Sequence, residues 1–336
     1  MSDASAKPAA TAVLPDVVAY VFDGEGGARQ VDVNDLVDSQ FDVGNYAFAW
    51  VCIRRDQPHT FDELTRFGLD GHIAEALTAD ETRPRCTVHR DGVVLNLRGV
   101  NLEPGEVSED MVSARFWVEG KRVIGVWVRP LMAMREMFDA IDRGQAPTSP
   151  GDLVAQLALR LTDGAEPAVA TLNERIDDLE ELVLDQNADV SQRDLVQIRR
   201  TSIELRRYLF PQRDALSALE VEDLPWLGHH DQSRIREAAD RVTRLGEELD
   251  AVRDRAQVIH DQIMDKRAEM MNRQMLVLSI VAALFLPLGL LTGLLGVNVG
   301  GIPGASDPWG FWVVCALLVV LGAAQLWFFR KIGMLK

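Results

Sequence analysis

Asn298 is the side chain of this sequence best suited to meet a passing cation. It lies in Gly296-Val297-Asn298-Val299-Gly300-Gly301-Ile302-Pro303-Gly304, a segment set between two uncharged apolar runs. A neutral amide held where a helix leaves a bilayer can accept hydrogen bonds from metal-bound water, so a divalent ion need not be stripped to pass. Asparagine also tolerates left-handed backbone at helix ends, and spacing alone leaves both roles open. The glycines of the segment are read as backbone turns. Asp307 is the only carboxylate between Met275 and Phe329. It suits cation attraction at an outer mouth, and equally a turn before Pro308.

Softer ligands occur earlier in the chain. Cys86 and His89 are spaced to share one side of a turn, and His229-His230 stand beside Asp231. Either group has zinc-type chemistry. A strand pair and a solvated helix start explain them as well. The apolar runs offer zinc only Cys315, and no histidine lies beyond His260, so pore chemistry does not select zinc. No Walker motif, dinucleotide fingerprint, HExxH pair or nucleophile elbow is found. The reading is therefore of a non-enzyme without a cofactor.

The two runs carry the membrane argument. Met275 to Leu295 and Phe311 to Phe329 contain no charged residue. At helical rise they cover about 31 and 28 Å, close to one hydrocarbon thickness. Trp309, Trp312 and Trp327 sit near the ends of the second run, where amphipathic rings favour the interface. Lys266, Arg267 and Arg273 precede the first run, and Arg330, Lys331 and Lys336 follow the second. The positive-inside rule then places both termini in the cytoplasm and the loop outside. Pro287 is expected to kink the first span, and Gly289 and Gly293 permit close helix approach.

A long helix must lead into that span. From Asp231 to Leu295 the only proline is Pro287. Ile235, Ala238, Val242, Leu245, Leu249, Val252, Ala256, Ile259 and Ile263 recur at alternating threes and fours, an a/d seam expected to pair with other copies of the chain. Upstream, strand patterns fall at 17–22, 47–53, 93–97, 111–118 and 123–128. Helical patterns fall at 61–67, 72–78, 132–143, 153–161, 169–186 and 191–219. The organisation predicted is an arm (1–15), an α+β domain with a mixed sheet flanked by helices (16–149), and a helical part (150–230). A stalk (231–274), first span (275–295), loop (296–308), second span (309–329) and basic tail (330–336) follow. Residues 1–230 hold 40 acidic and 23 basic side chains, against 11 and 12 in the rest. That balance argues against nucleic acid and for solubility, or for a field that gathers cations. Three widely spaced cysteines, odd in number, argue against a disulfide framework and suit a reducing compartment.

The Gly296-Val297-Asn298 tripeptide ending the first of two C-terminal spans resembles the mark of the CorA/ZntB metal-ion transporter family, in its ZntB branch. Thr82-Arg83-Pro84-Arg85, Leu97-Arg98-Gly99-Val100-Asn101, Met111-Val112-Ser113 with Arg115, and Arg207-Tyr208-Leu209 before Pro211 extend the likeness. The resemblance implies a homopentameric funnel in the bacterial inner membrane. The first span would line its pore, with Met275, Leu278, Ala282, Leu286 and Gly289 as lining candidates. It implies zinc transport and brings in protons as a coupling ion. Magnesium-type members carry methionine before the asparagine and then an acidic loop. Val297 and the uncharged Gly-Gly-Ile-Pro-Gly depart from that pattern. A magnesium or broad divalent channel remains the alternative within transport. A non-conducting membrane-anchored coiled-coil scaffold or sensor is the alternative outside it.

Overall fold

The computed structural model describes residues 16–38, 42–55, 59–80, 83–101, 111–129, 131–184, 191–297, 302, 304 and 307–334. They form two compact units, one ending at Ile259 and the other running from His260.

The first unit is built on alternation. Runs rich in Val, Ile, Phe and Trp pair as β1 (Val17–Phe22), β2 (Ala28–Val31), β3 (Phe48–Arg54), β4 (Arg85–His89), β5 (Gly92–Gly99), β6 (Val112–Glu119) and β7 (Arg122–Trp127). The order across the sheet is β2-β1-β3-β7-β6-β5-β4. The β3–β7 pair is parallel and every other pairing antiparallel, so the sheet is mixed. The central strand β3 is buried on both faces rather than alternating, because helices cover both sides. On one side α1 (Val33–Asp38), α2 (Thr60–Arg66) and α3 (Gly71–Thr78) set Leu64, Ile73 and Leu77 against Val51 and Ile53. On the other, Phe138 of α4 (Met132–Asp142) stacks on Trp50 at 5.3 Å. The expected strands and helices are all present. Two elements escaped the pattern, α1 and the short β2; β4, whose residues are mostly exposed, was visible only as the strand alternative for Cys86 and His89.

The rest of this unit is helical: α5 (Pro150–Asp163), α6 (Glu166–Leu184), α7 (Gln192–Glu220) and the beginning of α8 (His229–Leu295). Ser149 and Ser191 cap α5 and α7 through their hydroxyls, each accepting from an N–H three residues on.

The a/d seam of α8 corrects an expectation. Ile235, Ala238, Val242, Leu245, Leu249, Val252, Ala256 and Ile259 are all buried within the single chain. Ion pairs on either side of the seam show what covers it. Arg255 pairs with Asp177 and Glu180 of α6, and Arg206 of α7 with Asp250 at 2.7 Å. The seam is therefore spent on the chain's own helices and is not available to partner copies. A three-four spacing marks any helix with one buried stripe, whichever chain supplies the neighbours.

The start of α8 is tied to α5 by a buried knot. Asp231 accepts from Ser149 Oγ at 3.2 Å and from the Gly228 N–H at 3.3 Å. A side chain at Gly151 would meet Asp231 Oδ2 at 2.5 Å, so only glycine admits this approach. Asp152 binds Arg234 and accepts from the Thr148 N–H at 2.9 Å. Burial raises the Asp231 pKa above its ordinary value, with the nearby Asp152 carboxylate adding to the rise.

The second unit holds the remainder of α8 and α9 (Gly310–Lys331), each long and apolar enough to cross a membrane. Large apolar side chains on both, such as Phe285, Leu290, Val319 and Trp327, are exposed, as membrane-spanning helices require.

Candidate ion-conduction site

The site is built on the last six turns of α8. Two stripes meet between the spans. Ile280 is buried, and Leu284, Pro287, Leu288 and Leu291 are half-buried at helical spacing. On α9 the half-buried stripe is Val314, Cys315, Leu318, Leu321, Gly322 and Gln325. A Cβ at Gly322 would lie 4.0 Å from Leu288 Cδ1, and Gln325 Nε2 reaches the Ala283 carbonyl at 3.5 Å, which sets these stripes against each other. Met275, Leu278, Ala282, Leu286 and Gly289 occupy the opposite, exposed face of α8. Cys315 stands on the stripe turned toward α8.

The first span closes with Gly296, whose N–H donates to the Thr292 carbonyl at 2.9 Å, and Val297 follows, half-exposed. The Thr292 hydroxyl donates back to the Leu288 and Gly289 carbonyls at 3.0 and 3.1 Å. In an apolar helix this removes the cost of an unpaired hydroxyl. Asn298 lies outside the described residues. Asp307 Oδ1 accepts from the Trp309 N–H at 2.9 Å, and the Asp307 N–H donates to Gly304 O at 3.1 Å. The carboxylate thus starts α9 with a side-chain turn, whatever it also does for cations.

The four soft ligands of the first unit do not converge on one site. Cys86 and His89 lie three residues apart on β4 and so face opposite sides of the sheet. Burial, helped by the Glu222 carboxylate, pushes the Cys86 thiol up to about 12. A thiol so protonated is a poor metal ligand at neutral pH. His229 Nδ1 is 3.1 Å from Gln232 Oε1, His230 is exposed, and Asp231 is engaged in the buried knot. Among the described residues no three His, Cys, Asp or Glu side chains gather as a metal-binding group.

The arginine-bearing motifs of the first unit have a structural use. Arg115, 2% exposed, donates to the Leu77 and Ala79 carbonyls at the end of α3 and to Ser113 Oγ. Arg55 donates to the same Ala79 carbonyl. Burial, then the neighbouring Arg55, Arg98 and Arg85, lowers the Arg115 pKa to about 10. The Arg98 guanidinium lies 4.2 Å from the Tyr208 ring centroid, and its backbone N–H donates to Gln212 Oε1 at 2.7 Å. These side chains clamp α3 and α7 to the sheet. Sequence reasoning passed over Gln325, whose one visible signal was a lone amide in an apolar run.

A helix-covered mixed sheet, a long helix running into a first span, and a second span packed on it define a two-span membrane transport protein. The family model described as CorA-like Mg2+ transporter protein matches residues 45–331. The divalent cation transporter CmaX of Pseudomonas aeruginosa is 37% identical over 319 residues, covering 94% of this chain and 96% of that one. The zinc transport protein ZntB of Pectobacterium carotovorum is 35% identical over 316 residues, covering 94% of each. The solved structure of the full-length CmaX protein matches with a TM-score of 0.82 at 36% identity, covering 95% of this chain and 99% of that one. This chain belongs to the CorA family. It is an integral membrane transporter of divalent cations, and not an enzyme.

Proposed function

We propose that the chain assembles as a homopentamer in the bacterial inner membrane and passes divalent cations, zinc foremost, along an axis lined by its first spans. The observation that carries this reading is the face Met275, Leu278, Ala282, Leu286 and Gly289. It bears no charge, and α9 leaves it uncovered. One helix pair cannot enclose a path, so copies of the chain must supply the other walls. An uncharged wall suits an ion that keeps its water. Asn298 would then meet that water at the outer end, and Asp307 would stand beside the mouth. The flanking basic residues support cytoplasmic termini.

Zinc is favoured by the ZntB relative, and Val297 in place of methionine disfavours magnesium. A broad divalent channel is the second reading, favoured by the CmaX relative at 37% identity. Protons are the proposed coupling ion. The test is initial Zn2+ and Mg2+ flux into proteoliposomes under an imposed pH gradient, for the wild type and Asn298→Ala. Zinc flux that the gradient accelerates, and that Asn298→Ala abolishes while the oligomer persists, is the expected result. Unchanged flux in the variant would overturn the role given to Asn298, and a wild type that passes neither ion would leave a scaffold.

A further inference from the structure

Proline at position 287 has no N–H to give, so the carbonyl four residues earlier, that of Ala283, loses its helical partner. In hydrocarbon no water replaces that donor, and an unpaired carbonyl is costly. The same stretch of α8 is weakened twice more. Gly289 follows the proline, and the Thr292 hydroxyl returns to the Leu288 and Gly289 carbonyls, a contact that tends to bend helices. α8 continues as helix to Leu295, but local bonding fixes its direction less firmly past Pro287 than elsewhere. That direction decides where Gly296 and Val297 stand.

The contact that does fix it comes from the other span. Gln325 is the only side-chain amide in α9, and Nε2 donates to the Ala283 carbonyl, the one Pro287 frees, at 3.5 Å. Its Oε1 is buried and has no hydrogen-bond partner among the described residues, so this donation is what orients the amide. A polar side chain between two spans is expensive unless it serves such a group. Gly322, one turn earlier on the same stripe, lets Leu288 lie close by. We propose that Gln325 is a positioning residue for transport: its amide replaces the helical donor missing at Pro287 and so holds the outer half of the first span in its conducting direction.

The transport arm of the test rests on the proposed function, and a second arm does not. Four full-length proteins are compared: wild type, Gln325→Leu, Pro287→Ala and the double variant. Flux of whichever ion the wild type passes is measured in proteoliposomes, and heat stability of the purified protein in detergent. Gln325→Leu alone should lower the flux about threefold or more, the usual scale of one interhelical hydrogen bond in a membrane. With Pro287→Ala present, residue 287 again supplies an N–H to Ala283, and the same change should have no effect. The heat-stability cycle should show the same loss in one background and none in the other. Pro287→Leu restores the N–H equally and replaces Pro287→Ala should that variant fail to assemble. Equal effects of Gln325→Leu in both backgrounds, on either readout, would overturn the proposal. A wild type without flux but with a coupled stability cycle would sink the proposed function and the transport role of Gln325 with it, and leave standing only the pairing of its amide with the Ala283 carbonyl.

Discussion

Replacing Leu249 tests whether the seam of α8 is an internal or a shared surface. Leu249 is fully buried. The residues on either side of it reach neighbouring helices of the same chain: Glu248 accepts from Asn173 of α6 at 3.2 Å, and Asp250 pairs with Arg206 of α7. Leu249→Ala therefore opens a cavity between α6, α7 and α8. A buried Leu→Ala change costs about 2–5 kcal/mol, and the tight surroundings place this one at about 3 kcal/mol. For a domain of this size about 2–4 °C is lost per kcal/mol, so the unfolding midpoint should fall by about 6–12 °C. The assay is far-UV circular dichroism of full-length protein in detergent during heating, at two protein concentrations, with native mass spectrometry alongside. An internal seam gives the same drop at both concentrations and an unchanged oligomer. An unchanged midpoint with a dissociated oligomer would refute the reasoning, because only a seam shared between copies behaves so.

Two further substitutions probe the first unit. Arg115→Leu leaves the buried Leu77 carbonyl without its donor and should cost about 1–3 kcal/mol, read as a lower denaturant midpoint; a neutral outcome would mean that α3 is held by apolar contacts alone. Asp231 has a raised pKa, so its charged form is the one the fold penalises, and the penalty is complete above the folded pKa. Asp231→Asn should therefore raise the unfolding midpoint at pH 7. The gain should shrink as pH falls through the folded pKa and vanish below the unfolded value, where the native carboxyl is also neutral. A loss at pH 7 would show that the carboxylate's bonds to Ser149 and Gly228 outweigh its burial.

The sheet was largely legible because its strands carry apolar side chains that a reader can count. β5, β6 and β7 are rich in Val, Leu, Ile, Phe and Trp and bounded by Asp91-Gly92 and Gly120. β4 was not, since Arg85, Thr87 and His89 are exposed and look like loop. The period of α8 was legible and its partner was not, because one buried stripe has the same spacing against any neighbour. In the membrane unit Met275, Leu278, Ala282, Leu286 and Gly289, named through the family resemblance, lie on the face of α8 that α9 leaves bare. Gln325 and Ala283 are 42 residues apart, and no local pattern joins a proline to the amide that answers it. The likeness of the arginine motifs to a family was visible, but their use as helix clamps needed the sheet to bring Arg55, Arg98 and Arg115 together.

The internal seam has a consequence for biogenesis. Because the apolar faces of α6 and α7 close on residues 235 to 259 of α8, the first unit lacks its last wall until that stretch has been synthesised. Only fifteen residues separate Ile259 from Met275, where the first span begins. Folding on one side of the membrane and insertion into it thus fall in the same short interval of translation. A chain stalled or cut before residue 259 would expose two helices' worth of uncovered leucine and valine to its surroundings, the kind of surface that chaperones bind and that aggregates form from.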